Sequence, residues 1–281
     1  MDDLVKQFEA ILDENGIFSG EEVGNRAVHV WNDASIEARV ILRPTTTAQV
    51  SAILKLCNDA GQTVVAHGGR TGLVQSSITV ADDVIISLER MNQIEEIDEV
   101  GRTMTVQAGV PLQILQESAE AAGLFFPVDL GARGSCQIGG NVSTNAGGNR
   151  VIRFGMMRDN VLGLEAVLAD GTVVTSMNTM IKNNAGYDLK QLFIGTEGTL
   201  GVITRLVLRL REAITEDETA FVAFDTFDQV TSFLKYIDGA LGGTLSAYEV
   251  LWHDYYDLVT TAPATNKPPV EKTHPYYALV E

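Results

Sequence analysis

"SCQIGGNVSTNAGGN", residues Ser135 to Asn149, is built almost wholly from small residues. Two Gly-Gly pairs, Gly139-Gly140 and Gly147-Gly148, bracket Asn, Val, Ser, Thr and Ala, and the stretch holds no acid, base or aromatic ring. It can bury little apolar surface, and each glycine loses more backbone freedom on ordering than any other residue. Its composition makes sense if something approaches the backbone there very closely.

Two more stretches share this character: "AHGGRTGL", Ala66 to Leu73, and "GTEGTLG", Gly195 to Gly201. The first follows a run that reads as a strand, the usual setting of a phosphate loop. Neither GxGxxG nor GxxxxGK[ST] occurs in it, which argues against an NAD-binding Rossmann fold or a P-loop nucleotidase. Consecutive backbone N–H groups can still form an anion-binding nest. Three such loops, with Ser76, Ser77, Thr144 and Asn145 as hydrogen-bonding neighbours, point to an extended phosphorylated ligand touched at several places rather than to ordinary turns.

The rest of the composition sets bounds. The chain has 281 residues, 45% hydrophobic and 20% charged, as in a soluble globular protein of one or two domains. A formal net charge of -17 argues against nucleic acid as a partner. No apolar run approaches the ~18 residues of a membrane span. The acidic, amphipathic start "MDDLVKQFEAILDENG" lacks the basic and apolar regions of a secretory signal, so a cytoplasmic protein is expected. Cys57 and Cys136 have no metal-site spacing.

Helical spacing of Leu4, Phe8, Ile11 and Leu12 predicts a helix at the N-terminus, stopped by Gly16. "ARVILRP" reads as a strand, "TTTAQVSAILKLCNDAG" as a Thr-capped helix ended by Gly61, and "TVVAHGG" as a second, parallel strand. "DVIISLERM" and "TMTVQAG" read as strands, and "PLQILQESAEAAG" as a helix opened by proline. Asp170-Gly171 marks a hairpin. "LGVITRLVLRLR" alternates, with Val207 out of phase. After Arg211 an acidic linker leads to strand, helix, strand and a final strand, "HPYYALVE". The expected domains are 1–38, an N-terminal helical segment; 39–211, the ligand-binding domain; and 212–281, an incomplete second domain.

"HGGRTGLVQSS", "PVDLGARGSCQIGGNVSTNAGGNRVIRFG" and "NNAGYDLKQLFIGTEGTLGVIT" resemble the FAD-binding domain of the vanillyl-alcohol oxidase / p-cresol methylhydroxylase superfamily. Within it they are most similar to the D-2-hydroxyacid dehydrogenase branch: D-2-hydroxyglutarate dehydrogenase, FAD-linked D-lactate dehydrogenase and the glycolate oxidase flavin subunit. The resemblance implies an α+β fold, a two-subdomain FAD-binding domain of the p-cresol methylhydroxylase type, followed by the start of an α+β substrate (cap) domain. It implies that Gly68, Gly69, Arg70, Thr71, Gly72, Leu73 and Ser77 wrap the pyrophosphate. Pro127, Gly134, Ser135, Ile138, Gly139, Gly140, Asn141, Thr144, Asn145, Gly147 and Gly148 would run along the pyrophosphate, ribityl chain and flavin. Gly201, Val202 and Ile203 would lie near the adenine end. Members with a histidyl flavin place His where this chain has Arg70, so FAD is expected to be non-covalent. Arg70 either faces the phosphates or is a solvated loop arginine.

The resemblance further implies oxidation of a D-2-hydroxyacid, of the D-2-hydroxyglutarate or D-lactate type, to the 2-oxoacid by hydride transfer to flavin. An electron-transfer flavoprotein or a quinone would take the electrons, and a homodimer is left open. No catalytic base and no metal ligand is assigned in this chain; both are expected in a later, His-rich segment of such enzymes. The alternative is a non-catalytic flavin-binding module or subunit completed by another chain. His67 is expected to order its loop, Asp188 to cap a helix with Tyr187 beside it, Cys136 to be a small loop residue, and His253 and His274 to be structural.

Overall fold

The computed structural model describes residues 3–281. In chain order the elements are α1 (Asp3–Glu9), β1 (Ile17–Phe18), α2 (Glu21–Gly24), β2 (Ala27–His29), β3 (Asn32–Ser35), β4 (Val40–Leu42), α3 (Thr47–Asp59), β5 (Val64–His67) and β6 (Val84–Ser87). There follow β7 (Ile94–Asp98), β8 (Thr103–Gln107), α4 (Leu112–Ala121), β9 (Leu124–Phe125), α5 (Ile138–Ser143), α6 (Val151–Phe154), β10 (Val161–Val167), β11 (Val173–Ser176) and α7 (Lys190–Phe193). The remainder are β12 (Val202–Arg209), β13 (Arg211–Glu212), β14 (Ala220–Phe224), α8 (Phe227–Leu241), β15 (Tyr248–Trp252), α9 (His253–Thr260) and β16 (Tyr276–Val280). The fold is α+β, of the type that the resemblance implies.

The chain divides into two compact units: Met1–Phe126, Gly131–Ala146 and Asn160–Ala213 form one, and Pro127–Leu130, Gly147–Asp159 and Ile214–Glu281 the other. The first contains a sheet in the order β1-β4-β6-β5, in which β4 and β5 both run parallel to β6. The β4-α3-β5 crossover thus skips one position, which β6 later fills. Thr46 caps α3, accepting the Gln49 N–H, and Val50, Ile53, Leu54 and Cys57 bury its apolar face. An antiparallel sheet follows in the order β11-β10-β12-β8-β7. The β10–β11 hairpin turns at Asp170-Gly171, and Gly171 has a φ of +85°. The buried Glu165 of β10 accepts hydroxyls from Thr47 of α3 (2.6 Å) and Thr204 of β12 (2.9 Å), tying helix to sheet.

Several expectations change. Val207 is not a break in an alternating strand: β12 is central and buries Val202 to Thr204 and Leu206 to Leu208, so side chains on both faces are covered. Residues 1–38 are not a helical segment. Beyond α1 they form β1 of the parallel sheet, the short α2 and the β2–β3 hairpin, and Phe18, Val23, Val28 and Ile36 pack with Ile41 and Ile85.

In the second unit β16 lies between β14 and β15, antiparallel to both. Phe224, Val230, Ile237, Leu245, Ala278 and Val280 form its core beneath α8. Tyr256 of α9 packs tilted against Tyr277 with ring centroids 4.1 Å apart, and Phe221 stacks on both. Arg150 pairs with Glu281 at 3.0 Å.

Candidate functional site

Ala66 to Leu73, Ser135 to Ala146 and Gly195 to Gly201, from the three glycine stretches, meet within the first unit. The first leaves the end of β5 and lies against the second: a β-carbon on Gly69 would collide with the Ser135 carbonyl, and one on Gly68 would sit 3.6 Å from Gln137 and 3.8 Å from Gly140. The third hangs from the end of α5, with Gly195 N–H donating to Val142 O (3.2 Å) and Glu197 N–H to Ser143 O (2.9 Å). A β-carbon on Gly198 would lie 3.7 Å from Ala66 of β5. Each loop holds one non-glycine residue in the left-handed region: Arg70 (φ 52°), Asn145 (φ 49°) and Glu197 (φ 54°). Such residues persist only where their surroundings fix them, and they cluster at functional sites.

The quoted stretch is not a loop throughout. Ile138 to Ser143 form α5, which Gly-Gly in mid-helix disguises because glycine is a poor helix former. Its two glycines do different work. Gly139 is buried against Ala108, whose β-carbon would be 2.6 Å from one added at Gly139. Gly140 faces open space, with nothing within 4 Å of an added β-carbon, and Gly72 is open in the same way. The close approach inferred at Gly69 and Gly139 is therefore met by the protein's own backbone and side chains, and Gly72 and Gly140 are where a ligand can come near.

Backbone donors separate the loops further. Among the described residues, the N–H groups of Arg70 to Leu73 make no backbone hydrogen bond. In the third loop, Gly195, Thr196, Glu197 and Thr199 all spend theirs inside the protein. The first loop has the free donors of a nest; the third is a cap for α5. His67, 3% exposed, anchors the first loop by donating from Nε2 to Ser77 O at 2.9 Å. Burial pushes its imidazole down to about 4, so it is neutral at pH 7. His29 of β2 bonds Gly72 O, and Val30 N–H donates to Arg70 O at 3.3 Å.

Three buried polar atoms here lack a partner: Arg70 Nε, Gln137 Oε1 and Asn141 Oδ1. Asn141 is only 6% exposed. Gln137 was not among the expected site residues, although it stands in the quoted stretch.

The other expected residues fall out as follows. Leu73 is exposed, Thr71 and Ser77 are half-buried, and Gly134 and Ser135 are exposed on the second loop. Ile138 is buried, and the Thr144 hydroxyl donates to Gly140 O (3.0 Å) within the helix end. Gly201, Val202 and Ile203 are buried at the start of β12 and can offer a ligand backbone only. Pro127, Gly147 and Gly148 lie in the second unit, where Gly148 (φ +92°) packs on the Asp129 carbonyl. Asp188 does not cap α7: its carboxylate pairs with Lys190 at 2.6 Å, while Tyr187 is 95% exposed. Cys136 is buried, and burial raises its thiol pKa. Among the described residues no cluster of His, Cys, Asp and Glu could hold a metal, and no helix is long and apolar enough to cross a membrane.

Residues 38–176 match the family model described as FAD binding domain. The chain is 45% identical over 242 residues to the D-2-hydroxyglutarate dehydrogenase, mitochondrial, of Danio rerio, covering 86% of this chain and 45% of that protein. It spans about half the length of the curated relatives it matches. Among solved structures it is similar to an alkyldihydroxyacetonephosphate synthase (TM-score 0.83, 17% identity, 99% of this chain and 55% of that one). It is also similar to p-cresol methylhydroxylase with substrate bound (TM-score 0.75, 16% identity, 99% and 59%). These two likenesses establish the fold. The name of the Danio rerio relative, and of others from Bos taurus and Oryza sativa, places those proteins in mitochondria, which overturns the cytoplasmic expectation drawn from the first residues.

Proposed function

We propose that residues 38–176, which match the family model described as FAD binding domain, hold FAD in a fold of the p-cresol methylhydroxylase type, and that this chain is the FAD-holding part of a dehydrogenase that oxidises a D-2-hydroxyacid to its 2-oxoacid. The observation that carries the cofactor's place is the convergence of three glycine loops on α5, with Gly72 and Gly140 open and the donors of Arg70 to Leu73 unused. The unpartnered Gln137 and Asn141 oxygens beside them suit a ligand that brings its own hydrogen-bond donors.

In this reading the first loop lies along the pyrophosphate. Gln137, Gly140 and Asn141 face the remainder of the dinucleotide. Gly69 seats the first loop on the second and Gly139 packs α5 on Ala108, rather than either touching the ligand. The third loop fixes α5. FAD, when bound, accepts the hydride that leaves the alpha carbon. The hydroxyl proton must pass to a base and the carboxylate must meet a cation; no residue of this chain is assigned to either task. The substrate is of the D-2-hydroxyglutarate or D-lactate type, and the electrons go on to an electron-transfer flavoprotein or a quinone. Residues 39–211 serve as the FAD-binding domain and 212–281 as the start of the substrate domain.

FAD is held non-covalently, because Arg70 stands where a flavin-linking histidine would be. Acid precipitation of the purified yellow protein is expected to leave flavin in the supernatant; flavin in the pellet would contradict the reading. The protein containing this chain is expected to lose its flavin absorbance anaerobically on adding D-2-hydroxyglutarate or D-lactate, and to keep it with the L-enantiomers. Unchanged absorbance with both D-acids would refute the substrate class.

A further inference from the structure

Several arginines of the first unit are matched to acids. Arg26 grips both oxygens of Glu89, at 3.0 and 2.7 Å, and Arg43 shares that carboxylate. Arg90 takes Asp13 at 2.7 Å, and Arg205 takes Glu95. With 37 acids against 20 lysines and arginines, the chain has carboxylates to spare. A group of three arginines at the far end of β12 from the third glycine stretch is served differently.

Arg209 ends β12 opposite Thr103, and Arg211 opens β13 opposite Phe125. Leu208 and Leu210 are buried while Arg209 and Arg211 are half-buried, the alternation that puts the two arginines on one face of an extended chain. Arg102 joins them from the β7–β8 turn. It has a left-handed φ of 54°, and its carbonyl is held by the Leu210 N–H at 2.8 Å. Arg211 Nε is buried with no hydrogen-bond partner. Among the described residues no carboxylate pairs with Arg209 or Arg211. Burial lowers the pKa of Arg211 from the usual guanidinium value, and the charges of Arg209 and Arg102 lower it further. The acids nearby are engaged elsewhere or stand outside. Glu212 pairs with Arg102 at 3.1 Å and is 73% exposed, and Asp98 spends its carboxylate on the Val100 and Gly101 N–H groups of the turn. Three converging cations with one exposed acid are unfavourable unless an anion joins them.

We propose that Arg209, Arg211 and Arg102 form a binding site for a phosphate group, separate from the glycine stretches. The planar donor fork of arginine matches the oxygens of phosphate, and three forks around one point suit a dianion whose charge sits on one centre. A dicarboxylate would carry its second charge away from that point. An acidic macromolecule is disfavoured because a chain of net charge -17 repels it at long range, whereas a small ion meets mainly the local positive field. The phosphate group belongs either to inorganic phosphate or to a phosphate monoester. Glu212 competes with it for Arg102.

The test is calorimetric titration of the full chain, kept in excess FAD, with inorganic phosphate, glycerol phosphate and glutarate at constant ionic strength. Saturable phosphate binding is expected, with a rise in melting temperature that sodium chloride of equal ionic strength does not give. Arg209→Gln and Arg211→Gln should each weaken it by about 10- to 100-fold, the range for a charge-assisted contact. Arg102→Gln should cost less, since Glu212 already shares that charge. Glu212→Gln should tighten phosphate binding by about 2- to 5-fold, as expected for removing an exposed competing ion pair, a gain that a damaged fold would not give. Inorganic phosphate binding at least as tightly as glycerol phosphate would identify the ion itself as the ligand, and the reverse order a phosphate monoester; either upholds the site. Equal effects of phosphate and chloride, or wild-type phosphate affinity in the Arg209→Gln/Arg211→Gln double variant, would overturn it. Tighter binding of glutarate than of phosphate would overturn the ligand class.

Discussion

Gly69 and Ser135 lie so close that a β-carbon on Gly69 would overlap the Ser135 carbonyl oxygen, and would come within 2.8 Å of the Cys136 α-carbon. This contact seats the first glycine loop on the second. Backbone cannot yield as the end of a flexible side chain can. Gly69→Ala is therefore expected to destabilise the protein by about 1–3 kcal/mol, as overpacked sites do. Urea unfolding of the flavin-free protein measures it, and a midpoint equal to wild type would mean that the two loops separate freely.

Gly140 should behave in the opposite way. It sits within α5 and faces open space, so an alanine meets no neighbour. Alanine is favoured over glycine in a helix by roughly 0.5–1 kcal/mol. Gly140→Ala is expected to raise the stability of flavin-free protein while lowering its FAD content, and Gly140→Val to abolish FAD binding. A stabilised variant with full flavin content would show that the ligand does not approach this face of α5.

These two glycines show how far the sequence could be read. Gly-rich composition correctly signalled close approach, but not what approaches: at Gly69 and Gly139 it is the protein, at Gly72 and Gly140 it is open space. Strands rich in Val and Ile, such as β4, β5 and β6, and the capped helix α3 follow from local pattern and were legible. The helix α5 was not, because its glycines suppress the propensity signal and only packing on Ala108 and the cap from Gly195 and Glu197 make it stable. Strand β7 was equally hidden. Its sequence, IEEID, is mostly charged, and it gains its place from pairing with β8 and from the Arg205–Glu95 ion pair. Likewise no local feature reveals that Arg26, in the N-terminal segment, would hold Glu89 beside the first loop.

His67 gives a pH dependence. Its folded-state pKa, pushed down to about 4 by burial, lies below the ordinary 6.5 of the unfolded chain. The unfolded state thus binds the proton more readily. The stabilisation is fully present above pH 6.5 and is lost as pH falls toward 4, by about 3 kcal/mol over the window. His67→Gln removes the titration but keeps an amide N–H for the Ser77 carbonyl. Thermal midpoints measured between pH 7 and 4.5 are expected to fall less steeply in the variant, and parallel curves would assign the acid sensitivity to other groups.

The second unit offers a simpler test. Thr226 and Gln229 form a reciprocal cap at the start of α8: the Thr hydroxyl accepts the Gln229 N–H at 3.3 Å, and the Gln carbonyl accepts the Thr226 N–H at 3.2 Å. Thr226→Ala is expected to cost about 1 kcal/mol. Asn or Ser there should recover most of it. A loss no smaller in Thr226→Ser than in Thr226→Ala would point to packing of the threonine methyl group instead of the cap.

Glu197 decides what the third glycine loop is for. Its φ of 54° is unfavourable for a residue with a β-carbon, and its N–H is bound to Ser143 O at the end of α5. The carboxylate itself is exposed. If the loop works as a cap, only its backbone matters. Glu197→Gly then relieves the left-handed strain and should stabilise the protein by up to about 1 kcal/mol with FAD affinity intact. Glu197→Pro cannot reach that φ and lacks the N–H, so it should cost about 3 kcal/mol or more and release α5 from its seat. FAD affinity should fall with it, measured well below the melting temperature so that global unfolding does not contribute. Were the loop an anion nest, the ranking would differ: its donors would be free for phosphate, and Glu197→Pro would weaken FAD binding while sparing the stability of flavin-free protein. The four N–H groups already spent between Gly195 and Thr199 favour the first outcome.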